Sequence, residues 1–152
     1  MNIRFAKIKD LNQLRKLTNE LETARVRLHS KKSKAFHKKT RKTNNISNKD
    51  FKSGIFLVAE DQDKIVGFAW GKIYKRKNHA LSRLGYIYEA FVDAKFRGKG
   101  IGKLLLAGLV KEFKKRKCDH IITHTDWENK PAQKLYTSFG MNETTIELWK
   151  KI

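Results

Sequence analysis

Leu84-Gly85-Tyr86-Ile87-Tyr88-Glu89-Ala90-Phe91-Val92 leads through Asp93-Ala94-Lys95-Phe96 into Arg97-Gly98-Lys99-Gly100-Ile101-Gly102, and that passage decides the reading of the chain. The first stretch is apolar and β-rich and predicts a central strand. Beyond the glycines, Ile101, Leu104, Leu105, Leu109 and Phe113 recur at helical spacing, which predicts a helix from Gly100 to about Lys115 with those five facing a core. Three glycines within five residues let backbone N–H groups converge on one point and let a bulky anion approach without meeting a Cβ. The helix start adds about +0.5 of partial charge and several N–H groups with no partner in the helix. Arg97, Lys99 and Lys103 surround it with full charges. A diphosphate fits such a turn. The spacing matches neither GxxxxGK[ST] nor GxGxxG, so nucleoside-triphosphate and dinucleotide loops are disfavoured, while a turn that merely permits close packing remains open.

Working outward, Asn2 to Lys9 alternates as a strand, and Leu11, Leu14, Leu17 and Leu21 mark a helix reaching about Leu28. Gly54–Glu60 and Lys64–Tyr74 are apolar runs joined by Asp61-Gln62-Asp63, a hairpin. His120–Thr125 is a further strand. Asn129 to Phe139 is a helix stopped by Gly140, and a last strand carries Ile146, Leu148 and Trp149. Between Ser30 and Asn48 the chain is so basic and so poor in aliphatics that a short or mobile helix is expected, anchored by Phe36, Ile46 and Phe51. These elements compose a mixed α+β sandwich.

A chain of 152 residues, 39% of them hydrophobic, makes one domain with its own core. Cys118 is the single cysteine, so no intrachain disulfide forms, and no Cys/His cluster has zinc spacing; no metal is expected. The start, Met1 to Lys7, lacks a signal-like apolar stretch, and no membrane span follows. A cytoplasmic location without a membrane partner is the expectation.

Thirty-five basic residues against 15 acidic ones give a formal charge of +20, concentrated between Arg25 and Lys52, where Asp50 is the one acid. Lys72, Lys75, Arg76, Lys77 and Arg83 add to it. A solvated lysine-rich surface and an anionic partner, such as RNA, the ribosome or an acidic peptide, both account for it.

Arg97-x-x-Gly100-x-Gly102 behind the strand that ends at Val92 resembles the [QR]-x-x-G-x-[GA] signature of the GNAT (Gcn5-related N-acetyltransferase) superfamily. Asn129-x-x-Ala132-x-x-x-Tyr136-x-x-Phe139-Gly140-Met141 resembles its second signature, with Met141 where Phe is usual. The resemblance implies an α+β GNAT fold: a single mixed, mostly antiparallel sheet splayed between its fourth and fifth strands and flanked by about four helices. One domain, 1–152, would hold acceptor-side helices in 10–52 and an acetyl-CoA-binding core in 84–140. The implied activity is N-acetyltransfer from acetyl-CoA to a primary amine of a protein, peptide or small molecule. A non-catalytic CoA sensor or a basic RNA-associated binding protein on the same fold is the alternative. Family members often dimerise, so a homodimer belongs to the same set of expectations.

By the same resemblance, the loop amides of Arg97, Gly98, Lys99, Gly100, Ile101, Gly102 and Lys103 would hold the pyrophosphate. The backbone near Ala90, Phe91 and Val92 would bond the pantetheine like an added strand. Asn129 would meet that arm from the other side; an N-cap role fits it equally well and is compatible. Tyr136 would be the acid that meets the departing thiolate, against the alternative of a plain core tyrosine. Glu89, an acid inside an apolar strand, is the candidate base, since burial would raise its pKa usefully; the alternative is a surface residue paired with lysines. By the same resemblance, His124 stands where ribosomal-protein N-terminal acetyltransferases of the superfamily carry a catalytic Glu, and an imidazole could serve there, although a lone His on a strand is more often structural. His29, His37, His79 and His120 sit in polar surroundings and gain no role.

Overall fold

The computed structural model describes residues 1–28, 46–77 and 82–144. The expected short helix around Phe36 and the last strand with Ile146, Leu148 and Trp149 lie outside them. Strand β1 (Asn2–Phe5) leads through a 3₁₀ turn (Ile8–Asp10) into helix α1 (Leu11–Leu28), and a short helix α2 (Asn48–Ser53) precedes β2 (Ile55–Asp61) and β3 (Lys64–Lys75). Then come β4 (Arg83–Val92), a 3₁₀ turn (Ala94–Phe96), helix α3 (Ile101–Lys115), β5 (His120–Thr123) and helix α4 (Lys130–Thr137). The first strand is shorter than its alternation suggested, because Asp10 turns the chain by accepting from Lys7 N–H at 2.7 Å.

The sheet order is β1-β2-β3-β4-β5, antiparallel through β4, with β5 parallel to β4. The β2–β3 hairpin turns on Gln62 and Asp63, both at positive φ, as a two-residue turn between twisted strands requires. Both faces of the sheet are covered. Leu11, Leu14, Leu17 and Leu21 of α1 pack on Phe56, Val58, Phe68, Trp70 and Phe91. On the other face Ile101, Leu105, Leu106, Leu109 and Phe113 of α3 pack on Leu57, Val66, Ala69 and Ile87. Burial on two sides explains why β2 and β3 read as unbroken apolar runs.

One expected core residue is corrected. Leu104 is 52% exposed and Leu106 is fully buried. At about 100° per residue, Ile101, Leu105, Leu109, Phe113 and Leu106 share one arc of α3, and Leu104 falls outside it.

The α3 face approaches the sheet so closely that glycine is needed beneath Phe113. A Cβ at Gly71 would meet the Phe113 ring at 2.8 Å and press on the Tyr86 carbonyl oxygen, a backbone atom that cannot swing away. Gly71→Ala is therefore expected to cost about 2–3 kcal/mol, seen as a lower midpoint in urea unfolding.

Candidate active site at the parting of two strands

Strand β5 stops at Thr123, opposite Ile87, while β4 runs on to Val92. Past Ile87, that edge of β4 pairs with no other strand among the described residues and is open there. Asp93 N–H bonds to Val66 O on β3 at 2.9 Å, so by alternation the peptide groups of Phe91 face β3 and those of Ala90 and Val92 face the open edge. Phe91 lies opposite Phe68 and its ring is buried. Of the three residues expected along the pantetheine, Ala90 turns its peptide groups and Val92 its N–H to that edge, the Val92 carbonyl accepting from Arg97 Nε, and Phe91 presents none.

The open edge ends at the glycine turn. Gly98 and Gly100 have φ of 78° and 75°, a region L side chains avoid, and a Cβ at either would meet nothing within 4 Å. Backbone conformation, not space, requires glycine there. Gly100 is the N-cap of α3 and offers no capping side chain, so the first-turn N–H groups of Ile101, Gly102 and Lys103 have no acceptor within the helix. The cradle is open, electropositive and unfilled by protein. Its donors, charge and open space suit an anion of the size of a diphosphate. Lys99 and Lys103 are exposed around it, with Lys99 Nζ over the Phe96 ring at 5.5 Å. Arg97 is less free than its charge suggested: its Nε donates to Val92 O at 2.9 Å and its guanidinium lies 5.4 Å over the Phe91 ring.

Glu89 is 4% exposed. A bulge puts it on the α1 side of the sheet: Trp70 pairs with Glu89 and Gly71 with Ile87, leaving Tyr88 as the extra residue. Without the bulge, strict alternation from Ile87 would send Glu89 into the α3 face. Its Oε2 accepts from Trp70 Nε1 at 3.2 Å, and its Oε1 lies 3.4 Å from Arg25 Nη1. Burial pushes its pKa above the usual glutamate range, partly offset by the Arg25 charge and the Trp70 bond.

Tyr136, on α4, is buried among the α3-face residues. Burial raises its phenol, against a lowering from Thr123 and Arg25, and the nearby Glu89 charge adds to the rise. Glu89 and Tyr136 thus come from opposite faces of the sheet, and the Glu89 charge acts on the Tyr136 phenol. Asn129 caps α4, its Oδ1 accepting from Ala132 N–H at 3.3 Å. His124 is exposed beyond β5, its Nδ1 2.7 Å from the Tyr86 hydroxyl. It makes no contact with Glu89 or Tyr136 in this arrangement. His120 carries a buried Nδ1 without a partner at the far end of β5.

Several residues around Glu89 went unremarked in the sequence. Trp70 is stacked between Phe56, at 4.8 Å, and Tyr88, at 4.3 Å, in near-parallel rings. Tyr88 and Tyr74 hydroxyls are hydrogen-bonded, and Lys72 Nζ is 2.7 Å from Asp50. Arg25 was counted only as part of a basic field, yet it follows Leu21 by four residues and so continues the inward stripe of α1. Among the described residues no group of three or more His, Cys, Asp or Glu could hold a metal ion, and no helix is long and apolar enough to cross a membrane.

Residues 13–141 match the model of the acetyltransferase (GNAT) family. Mycothiol acetyltransferase of Thermobispora bispora is 34% identical over 94 residues, which are 61% of this chain and 32% of that protein. The chain spans about a third of the length of the curated relatives it matches. The aminoglycoside N-acetyltransferase AAC(6')-Iy, solved with CoA, superposes with a TM-score of 0.72 at 19% identity, covering 99% of this chain and 98% of that one. Glucosamine-6-phosphate N-acetyltransferase of Arabidopsis thaliana gives 0.69 at 22% identity, covering 99% and 97%. At such identities these likenesses show a shared fold.

Proposed function

The chain belongs to the acetyltransferase (GNAT) family, and from that premise we propose that it transfers acetyl from acetyl-CoA to a primary amine, with Glu89 as base and Tyr136 as acid. The observation that supports this reading is a pair of buried groups, the Glu89 carboxyl on the α1 side of the sheet and the Tyr136 phenol on the α3 side, with the Glu89 charge acting on the phenol. Bound acetyl-CoA supplies the thioester carbonyl carbon as electrophile. The first-turn N–H groups of α3 hold its diphosphate, and the peptide groups of Ala90 with the N–H of Val92 hold the arm in line as an added strand would.

An amine attacks only when neutral, so Glu89 removes the ammonium proton, directly or through one water. The C–N bond forms, the attacking nitrogen sheds its second proton to solvent, the C–S bond breaks, and the electron pair leaves on sulfur. Tyr136 gives its proton to that sulfur and recovers one from solvent. A phenol of reference pKa about 10 and a thiol of about 8.5 are close enough to share a proton. Because a thiolate leaves tolerably well at neutral pH, the acid contributes less than the base.

For the acceptor, the reading is an amine on an uncharged or anionic body, such as an acidic peptide or an RNA-associated protein. Acids that could receive a polycation beside the site are engaged: Glu22 with Arg25 at 2.7 Å and Asp50 with Lys72 at 2.7 Å. The excess of 35 basic over 15 acidic residues supports the same reading. Acceptor binding that weakens steeply with salt is its signature.

The test is CoA release from acetyl-CoA across a panel of amines and peptides. Tyr136→Phe is expected to lower kcat about tenfold with acetyl-CoA binding intact. Turnover untouched by Tyr136→Phe would remove the acid from the scheme, and no release with any amine would favour a CoA-binding protein without catalysis.

A further inference from the structure

The guanidinium of Arg25 is the cation that the described structure brings against Glu89, and it reaches there from a different layer of the fold. The apolar stripe Leu14, Leu17, Leu21 of α1 covers the sheet, and the next place on that stripe is Arg25. From there its head reaches Glu89 on β4, as long basic side chains do at the end of an apolar face. Arg25 Nη1 is 2.7 Å from Glu22 Oε1 and 3.4 Å from Glu89 Oε1. Trp70 Nε1 takes the other oxygen of Glu89, at 3.2 Å. Each oxygen of the carboxyl therefore has one donor, one from the helix and one from the neighbouring strand.

We propose that Arg25 is a positioning residue which, with Trp70, holds Glu89 as an oriented carboxylate at the parting of β4 and β5. This rests on Glu89 being the base of the proposed reaction. A base must be ionised before the amine arrives. A carboxyl so deeply buried would otherwise keep its proton at working pH, because the low-dielectric surroundings penalise the anion. The groups that face it are Arg25 and Glu22 from α1, Trp70 from β3, and Tyr136 from α4. Of these, Arg25 alone favours the anion by charge; Glu22 opposes it, and serves by fixing where the guanidinium sits. The same cation faces Tyr136, so its charge acts on the acid and the base together. The Trp70 ring is pinned between Phe56 and Tyr88, which fixes the direction of its N–H.

The experiment reads the carboxyl itself. The full chain, labelled with carboxyl-¹³C glutamate, is titrated by NMR, with the Glu89 signal assigned by its loss in Glu89→Gln. Arg25→Leu is expected to move the Glu89 midpoint upward by about one pH unit, a tenfold fall in the ionised-to-neutral ratio at a given pH. Arg25→Lys should restore most of it. Trp70→Phe, which keeps the stack and deletes one donor, should move it upward by less. If Arg25→Leu does not fold, as judged by its amide spectrum, Arg25→Gln, which removes the charge and keeps a polar side chain, takes its place. A midpoint unchanged in the folded charge-removing variant overturns the proposal. The acid limb of kcat/KM, measured by CoA release with an amine found in the panel, should move with the midpoint. A limb that stays while the midpoint moves would overturn Glu89 as base, and Arg25 as its positioning residue with it, while acetyl transfer itself would stand.

Discussion

Gly100→Glu is expected to weaken acetyl-CoA binding at least a hundredfold in calorimetric titration, leaving the far-ultraviolet spectrum unchanged. Two effects add. The φ of 75° at Gly100 costs a residue with a Cβ about 1–2 kcal/mol, which the free loop relieves by relaxing out of the cradle. The new carboxylate then stands at the start of α3, where the backbone was arranged for an anion. Two unit charges about 4 Å apart repel by about 4 kcal/mol at an effective dielectric near 20, and about 2.8 kcal/mol is enough for a hundredfold. Gly100→Ala separates the terms. Nothing lies within 4 Å of the added methyl, so alanine brings strain without clash or charge, and a loss of about fivefold to thirtyfold is expected. Affinity retained in Gly100→Glu would mean that the diphosphate lies elsewhere.

The glycine turn was legible because its chemistry is local: consecutive residues supply the positive φ, the helix start and the charge. The β2–β3 hairpin and the α1 stripe were legible for the same reason, since periodicity within one element shows in one dimension. The open edge of β4 entered the sequence reading through family resemblance, because nothing between Ala90 and Val92 says that β5 ends opposite Ile87. The bulge at Tyr88 was illegible too. It depends on how β3 and β4 pair, and no residue in Tyr86-Ile87-Tyr88-Glu89 marks it. Yet the bulge decides whether Glu89 faces α1 or α3, and so whether it can meet Arg25. Arg25 itself was readable in principle. Counting charges along the chain placed it with Arg27 and the lysines beyond; counting from Leu21 by four would have set it apart. Leu104 shows the reverse fault, a leucine read into the helical stripe by spacing when its angle around α3 puts it in solvent.

Glu89→Gln should lower kcat/KM about a thousandfold at neutral pH, within the range removal of a general base produces. The substitution keeps size and an oxygen that can accept from Trp70 Nε1, so the strand, the stack and acetyl-CoA affinity should persist. The pH dependence identifies the group. Because burial raises the Glu89 pKa above the usual glutamate range, wild-type turnover should climb as pH rises through that shifted midpoint and then level. The deprotonated form is the active one, so the limb falls on the acid side, and Glu89→Gln should abolish it. His124 provides the contrast. It lies exposed against the Tyr86 hydroxyl, away from the Arg25–Glu89 pair, and His124→Ala should leave kcat/KM within about threefold. The opposite pattern, collapse with His124→Ala and survival with Glu89→Gln, would transfer the base to β5 and leave the buried carboxylate as a structural tie between α1 and the sheet. Neutral amine would then be drawn from the solvent side of the gap, past Tyr86, instead of from beneath α1, and the two sets of variants would differ in which acceptor amines they still turn over.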